Sequence, residues 1–85
     1  HTESRRSISI WLDTRGELFF NGEKGSLQAL QSFAAYRAST APDLKALNHA
    51  DRDLPFERVN ALLETLRDAG VYNIVLVSRK KGDAK

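Results

Sequence analysis

Residues 47–77 read LNHADRDLPFERVNALLETLRDAGVYNIVLV, and this stretch predicts a strand, a helix and a second strand. Apolar residues in its middle recur at steps of three and four, so at 3.6 residues per turn they share one helix face. They are Phe56, Val59, Leu62, Leu63, Leu66 and Ala69. Pro55 suits the first helical position, and Gly70 suits the position after the last turn, where φ is often positive.

Residues 74–77 (IVLV) follow this helix, are uniformly apolar and are rich in β-branched side chains, as expected of a strand with neighbours. A strand, a helix and a strand in this order predict a right-handed parallel crossover. We expect the first strand over residues 44–49, mainly because the crossover requires one there.

The residues before this unit predict a hairpin and another helix. Apolar and polar side chains alternate over residues 8–13, Gly16 lies in a turn, and residues 17–21 return antiparallel. Residues 21–25 (NGEKG) predict a turn-rich connection without a strand. Ser26 is a suitable helix N-cap, and the helix that it begins should fade near Ser39 and stop by Pro42.

The element order β-β-α-β-α-β predicts an α+β fold, a two-layer sandwich with two helices on one face of a small mixed sheet. The other sheet face would display Trp11, Phe19, Val75 and Val77. An apolar patch of this kind indicates either a partner or a second copy of the chain, unless the terminal segments fold over it. Leu76 would be a sheet residue on whichever face meets the helices or a partner.

The length of 85 residues predicts one domain. We expect a linker or cloning remnant over residues 1–6, the domain over residues 7–79 and a flexible basic tail over residues 80–85. Six of the 13 basic residues lie in the terminal segments, which leaves seven basic and nine acidic residues between positions 7 and 78. The folded part is therefore not a basic surface.

The sequence contains no pattern typical of a catalytic, cofactor or metal site. Cysteine is absent, and His49 is the only histidine outside position 1, so neither a thiolate site nor a histidine cluster can form. Asp51 and Asp53 flank a helix start, where carboxylates more often cap free N–H groups than act as an acid–base pair. We therefore predict that the protein is not an enzyme.

A cytosolic ferredoxin-like module that binds nucleic acid is the alternative. Trp11, Phe19 and the basic ends favour it, because RNA bases stack on exposed rings of a sheet face. The Lys/Arg-Gly-Phe-aromatic pattern of ribonucleoprotein motifs is absent, and the body of the chain is slightly acidic.

The spacing of residues 50–59, 66–70 and 74–77 resembles the periplasmic domain of the ExbD/TolR family of biopolymer-transport proteins. The family pattern runs Ala-Asp, an apolar residue three positions on, an aromatic residue, a long amphipathic helix ending in Ala-Gly, and a strand of the form Ile-x-Leu-Val. The matching residues are Ala50, Asp51, Leu54, Phe56, Val59, Leu66, Ala69, Gly70, Ile74, Leu76 and Val77. Asn48 and His49 depart from it, since the family usually has apolar or β-branched residues there.

The resemblance implies a coupling domain in the periplasm, attached to the inner membrane by a transmembrane helix outside this sequence. It implies a homodimer that works with an ExbB- or TolQ-type channel protein and passes proton-motive-force energy to a TonB- or TolA-type partner. No cofactor, metal or nucleic acid is implied. Under this interpretation Trp11, Phe19, Val75, Leu76 and Val77 are candidates for partner binding. Asp51 ends a strand, Leu54 and Phe56 staple the second helix to the sheet, and Gly70 ends that helix.

Overall fold

The computed structural model describes residues 6–79, which form five strands and two helices. The elements are β1 (Ser7–Leu12), β2 (Leu18–Phe20), β3 (Glu23–Gly25), α1 (Leu27–Thr40), β4 (Lys45–Asp51), α2 (Phe56–Asp68) and β5 (Asn73–Arg79). Residues 1–5 of the predicted linker (residues 1–6) and the predicted tail over residues 80–85 lie outside the described residues.

The strands form one mixed sheet in the spatial order β3-β2-β1-β4-β5. The meander β1-β2-β3 is antiparallel, whereas β4 and β5 run parallel to β1, each reached through a helix. This confirms the predicted α+β fold with two helices and a mixed sheet.

The core lies between the sheet and the two helices. Strand positions alternate between buried and partly exposed, so every second side chain points to the helices. The buried apolar residues are Ile8, Ile10, Leu12, Leu18, Leu30, Ala34, Leu44, Ala46, Ala50, Leu62, Leu66 and Val71. Both helices and the strands β1, β2 and β4 therefore share one core, and Ile74 of β5 packs against it.

Strand β3 corrects the prediction of a turn-rich connection over residues 21–25. Asn21 (φ 55°) and Gly22 (φ 77°) form a two-residue turn with both φ values positive, the geometry preferred in hairpins. Phe20 then pairs with Glu23. Sequence pattern misses this strand because it has three residues, lies at the sheet edge and carries charged side chains that give no apolar alternation.

The ends of α1 and α2 largely follow the sequence signals. Ser26 caps α1, and its hydroxyl accepts a hydrogen bond from Ala29 N (3.0 Å). Gly70 (φ 95°) follows α2 and confirms the predicted terminus. Pro55 was expected as the first helical residue, but it is the N-cap (φ −59°, ψ 142°), so α2 begins one residue later.

Phe56 corrects a second expectation. The helical spacing placed it on the apolar face of α2 with Leu62 and Leu66, which are fully buried. The structure leaves Phe56, the first residue of α2, 71% exposed, and its ring is not among the side chains packed against the core. Only Leu54 of the predicted staple packs against the core.

Candidate interaction surfaces

The sheet face opposite the helices carries an apolar surface that no helix or strand of residues 6–79 covers, and we call it the open face. The register of strand pairing places its side chains in rows across the sheet. In one row, Phe19 lies beside Trp11, Trp11 beside His49, and His49 beside Val77. The neighbouring row joins Ser9, Leu47 and Val75. The open face thus extends from β2 to β5.

Trp11 and His49 form the centre of the open face. Their rings are stacked, with centroids 3.8 Å apart and planes 10° apart, and Trp11 remains 43% exposed. Because each ring covers one side of the other, both stand in a fixed orientation. The sequence flagged Trp11 as lying on the polar side of β1 but gave His49 no role, since the β1–β4 register that joins them is a tertiary feature.

The predicted partner-binding residues do not all lie together. Trp11, Phe19, Val75 and Val77 belong to the open face, as expected. Leu76 instead pairs laterally with the inward-facing Asn48 and points to the helix side of the sheet, where it is 47% exposed.

Leu76 lines a groove between α2 and the free edge of β5. Its apolar lining comes mainly from Phe56, Val59, Leu63 and Leu76, and Asp51 and Arg52 lie at one end. The groove has a volume of about 280 Å³. Leu76 and Phe56 therefore form a second apolar surface, separated from the open face by the thickness of the sheet.

A hydrogen bond from buried Asn48 on β4 to β5 shows which backbone groups of β5 point toward β4 and which point out of the sheet. Its side-chain amide donates to Ala46 O and to Val75 O, both at 3.2 Å, so the carbonyl of Val75 points toward β4. The N–H and C=O of one strand residue point to the same side, and successive residues alternate. The backbone groups of Ile74, Leu76 and Ser78 consequently point away from the sheet, where no strand of the described residues pairs with them.

The oxygen of the same Asn48 side-chain amide lacks the hydrogen bonds that its nitrogen makes. Its Oδ1 is buried without a hydrogen-bond partner within the described part of the chain. Rotating the amide would bring Oδ1 against the two carbonyls, so the observed orientation is the better one. An unsatisfied buried acceptor costs about 1–3 kcal/mol, which makes the β4–β5 junction a weak point of the core.

The loop between β4 and α2 holds the remaining motif residues. Asp51 ends β4; its Oδ1 accepts from Asp53 N (2.8 Å) and its carbonyl accepts from Leu54 N (3.2 Å). These bonds turn the chain toward α2. A cleft of about 210 Å³ beside this loop is lined by Thr14, Asp51, Asp53, Leu54 and Pro55.

Among residues 6–79, no group of three or more histidine, aspartate or glutamate side chains is placed to hold a metal ion. Neither helix of this part is long and apolar enough to cross a bilayer. The two apolar surface features of this part of the chain are the open face and the groove beside the β5 edge.

A family model described as "Biopolymer transport protein ExbD/TolR" matches residues 1–81. The match includes the open face, the groove and β5, so it confirms the resemblance drawn from the spacing of residues 50–77. No curated protein matches the chain in sequence.

Proposed function

Because the chain belongs to the ExbD/TolR family of biopolymer transport proteins, we propose that it is the periplasmic coupling domain of an inner-membrane stator protein of this type. It helps to transmit proton-motive-force energy to a TonB- or TolA-type partner, in nutrient uptake or envelope maintenance. Its own work is binding, not catalysis.

The observation that carries this proposal is the uncovered open face. Soluble monomers rarely leave a contiguous apolar surface without a binding role. Here the pairing register aligns Phe19, Trp11, His49 and Val77 in one row across four adjacent strands, and Val75 lies in the neighbouring row. A rigid sheet that presents aligned apolar side chains suits the transfer of mechanical work, because a load on the surface is shared by several strands.

The proposed partners divide between the membrane and the periplasm. An ExbB- or TolQ-type channel protein holds the membrane anchor of the same polypeptide, and the TonB- or TolA-type protein contacts the open face. A second copy of the chain completes the unit as a homodimer.

The Trp11–His49 stack argues against a surface that binds nucleic acid. Base recognition on a sheet needs a ring face onto which a base can stack, and His49 already covers one face of Trp11. The slightly acidic body of the chain also lacks the electrostatic attraction that supplies most non-specific binding to phosphate.

Site-specific photo-crosslinking tests the proposal. The full-length protein is expressed with the ExbB/TolQ-type and TonB/TolA-type proteins of its own genome, with a photoreactive residue at Phe19 or at Tyr36. Tyr36 is the control, because it is 69% exposed on α1, away from the open face. We expect a crosslink to the TonB/TolA-type protein from position 19 and not from position 36. Equal crosslinking from both positions, or none from position 19, would refute the assignment of the open face.

A further inference from the structure

We propose that His49 makes the open face a proton-controlled binding surface: the face binds an apolar partner while the imidazole is neutral, and releases it when His49 takes up a proton. This control rests on the proposed function only in the identity of the partner. Proton uptake at the centre of the face follows from the contact between Trp11 and His49 and from the residues around it.

His49 lies in the middle of the open face, between Trp11 of β1 and Val77 of β5 in the same row. Leu47 precedes it by two residues on the same side of β4. The neighbours of the half-buried imidazole along these directions are therefore aromatic or aliphatic. Histidine is the side chain whose charge ordinarily changes between pH 5 and 8, and His49 is the only histidine among residues 6–79.

The stack holds the imidazole where its charge has the greatest effect on the face. The centroids of the Trp11 and His49 rings are 3.8 Å apart and their planes differ by 10°, so one side of the imidazole lies on the indole. A cation over an indole is attracted by the negative potential of the ring face. His49 can therefore accept a proton without leaving the stack, and the charge then stands among the apolar rows.

The charged residues nearest the stack along the strands include two carboxylates. Asp51 lies two residues beyond His49 on the same side of β4, and Asp13 lies two residues beyond Trp11, past the end of β1. Carboxylates favour the charged form of an imidazole. Cationic residues stand at the sheet edge or at strand ends: Lys24 on β3 beside Phe19, Lys45 at the start of β4, and Arg79 at the end of β5, in register with Asp51 and not with His49.

A bound partner would reverse this preference of His49 for a proton. An apolar surface laid over the rows removes water from the imidazole, and burying a charged group costs far more than burying a neutral one. The partner and the proton therefore compete, and each lowers the affinity of the face for the other by the same factor. One pH unit below the midpoint of the His49 titration, about one molecule in ten is still neutral, so the apparent Kd should be about tenfold higher.

NMR measures proton uptake by His49 directly. The chain has two histidines, so His1→Gln leaves His49 as the single source of imidazole C–H signals. We expect these signals to titrate between pH 5 and 8, and the indole signals of Trp11 to shift with the same midpoint, because the two rings are in contact. An imidazole that does not titrate in this range, or indole signals that do not follow it, would overturn the proposal.

Equilibrium binding of Nile red, an uncharged apolar dye, measures the effect on the face. We expect its Kd to be about tenfold higher one pH unit below the NMR midpoint than at pH 8. His49→Phe keeps a ring beside Trp11 but cannot take up a proton, and its Kd should be the same at both pH values. His49→Val, which introduces the β-branched type common in the family, is a second control. Circular dichroism checks that each chain is folded at both pH values.

Dye held in the groove beside Phe56 does not respond to His49, so the difference between wild type and the His49 variants is the quantity that decides. The same pH dependence in wild type and variants, or no pH dependence in wild type, would overturn the proposal. The crosslink from position 19 tests the partner separately, at a single pH. Failure of the coupling role and failure of proton control are therefore distinguishable.

Discussion

The two edges of the sheet are built in opposite ways. The β3 edge has three residues, Glu23–Gly25, and Lys24 forms an ion pair with Glu17 (3.3 Å). The β5 edge has seven residues, four of them consecutive apolar ones. Short charged edges are how proteins prevent unwanted strand pairing, and long apolar edges promote it. Among the described residues, the β3 edge of the sheet is thus protected from strand pairing and the β5 edge is not.

The largest loss of stability should come from a charge introduced at Asn48, the buried residue of β4 whose side chain donates to β5. In Asn48→Asp, a carboxylate would replace the amide that donates to Ala46 O and Val75 O. We expect a loss of about 4 kcal/mol in the free energy of unfolding at pH 7, since a buried carboxylate facing two carbonyls has no compensating donor. Urea unfolding measures the loss.

The same variant should depend on pH in a known direction. Burial raises the folded-state pKa of the introduced carboxyl above its unfolded value of about 3.9. The stability of the protonated form, whose O–H can donate to one of the two carbonyls, is fully present below the unfolded pKa and is lost as pH rises through the folded pKa. Unfolding at pH 4 should therefore show a clearly smaller difference from the wild type. Asn73→Asp, at the exposed start of β5, is the control and should change stability by less than about 0.5 kcal/mol at either pH.

The next largest loss of stability should come from Gly16, which lies in the turn between β1 and β2. Gly16 has φ +81°, and a Cβ there would meet the guanidinium of Arg58 from α2. We expect Gly16→Ala to cost about 1–2 kcal/mol, most of it from the left-handed backbone and the smaller part from displacing the flexible, exposed end of Arg58. Thermal or urea unfolding provides the measurement.

Gly22→Ala separates these two contributions. Gly22 has a similar φ of +77° but open space around it, so the backbone cost of about 1 kcal/mol should be the whole effect. In an Arg58→Ala background, the cost of Gly16→Ala should fall to the same value. If the Gly16→Ala cost is unchanged in that background, Arg58 does not hold the turn.

A smaller effect is expected where the β3 edge leads into α1. Ser26→Ala removes the side-chain cap on Ala29 N and should cost about 1 kcal/mol in chemical unfolding. Ser39→Ala, near the other end of α1, removes only an exposed hydroxyl bond to Tyr36 O and should cost less than about 0.5 kcal/mol. Equal costs for the two serines would mean that the cap contributes nothing particular.

The smallest change in stability should come from Lys24→Val, because an exposed ion pair such as Lys24–Glu17 contributes about 0–1 kcal/mol. This substitution nevertheless removes the charge that protects the β3 edge. We expect larger species in analytical ultracentrifugation than the wild type forms at the same concentration. Lys45→Val, within an interior strand, is the control and should not produce them.

Sequence pattern predicts the parts of this molecule in which apolar residues recur at regular spacing or in which a residue has a strong backbone preference. The α2 crossover, its end at Gly70, the hairpin and the Ser26 cap all follow from local spacing and backbone preference. Strand β3 escapes prediction because its pairing with β2 depends on an edge position and not on apolar side chains.

The interaction surfaces are predictable only in part. Alternation along single strands correctly places Trp11, Phe19, Val75 and Val77 on one face. The contact between Trp11 and His49 requires the lateral register of β1 and β4, and the groove at Leu76 and Phe56 requires the position of α2 above β5. Both are relations between distant segments, which no local pattern contains.

The stacked Trp11 has a practical consequence. It is the chain's single tryptophan, and it sits half-exposed at the middle of the open face against an imidazole. The tryptophan fluorescence of the protein therefore comes from this one position. A molecule that binds to the open face would change the polarity around the indole and shift the emission. The protein carries its own unlabelled reporter of occupancy.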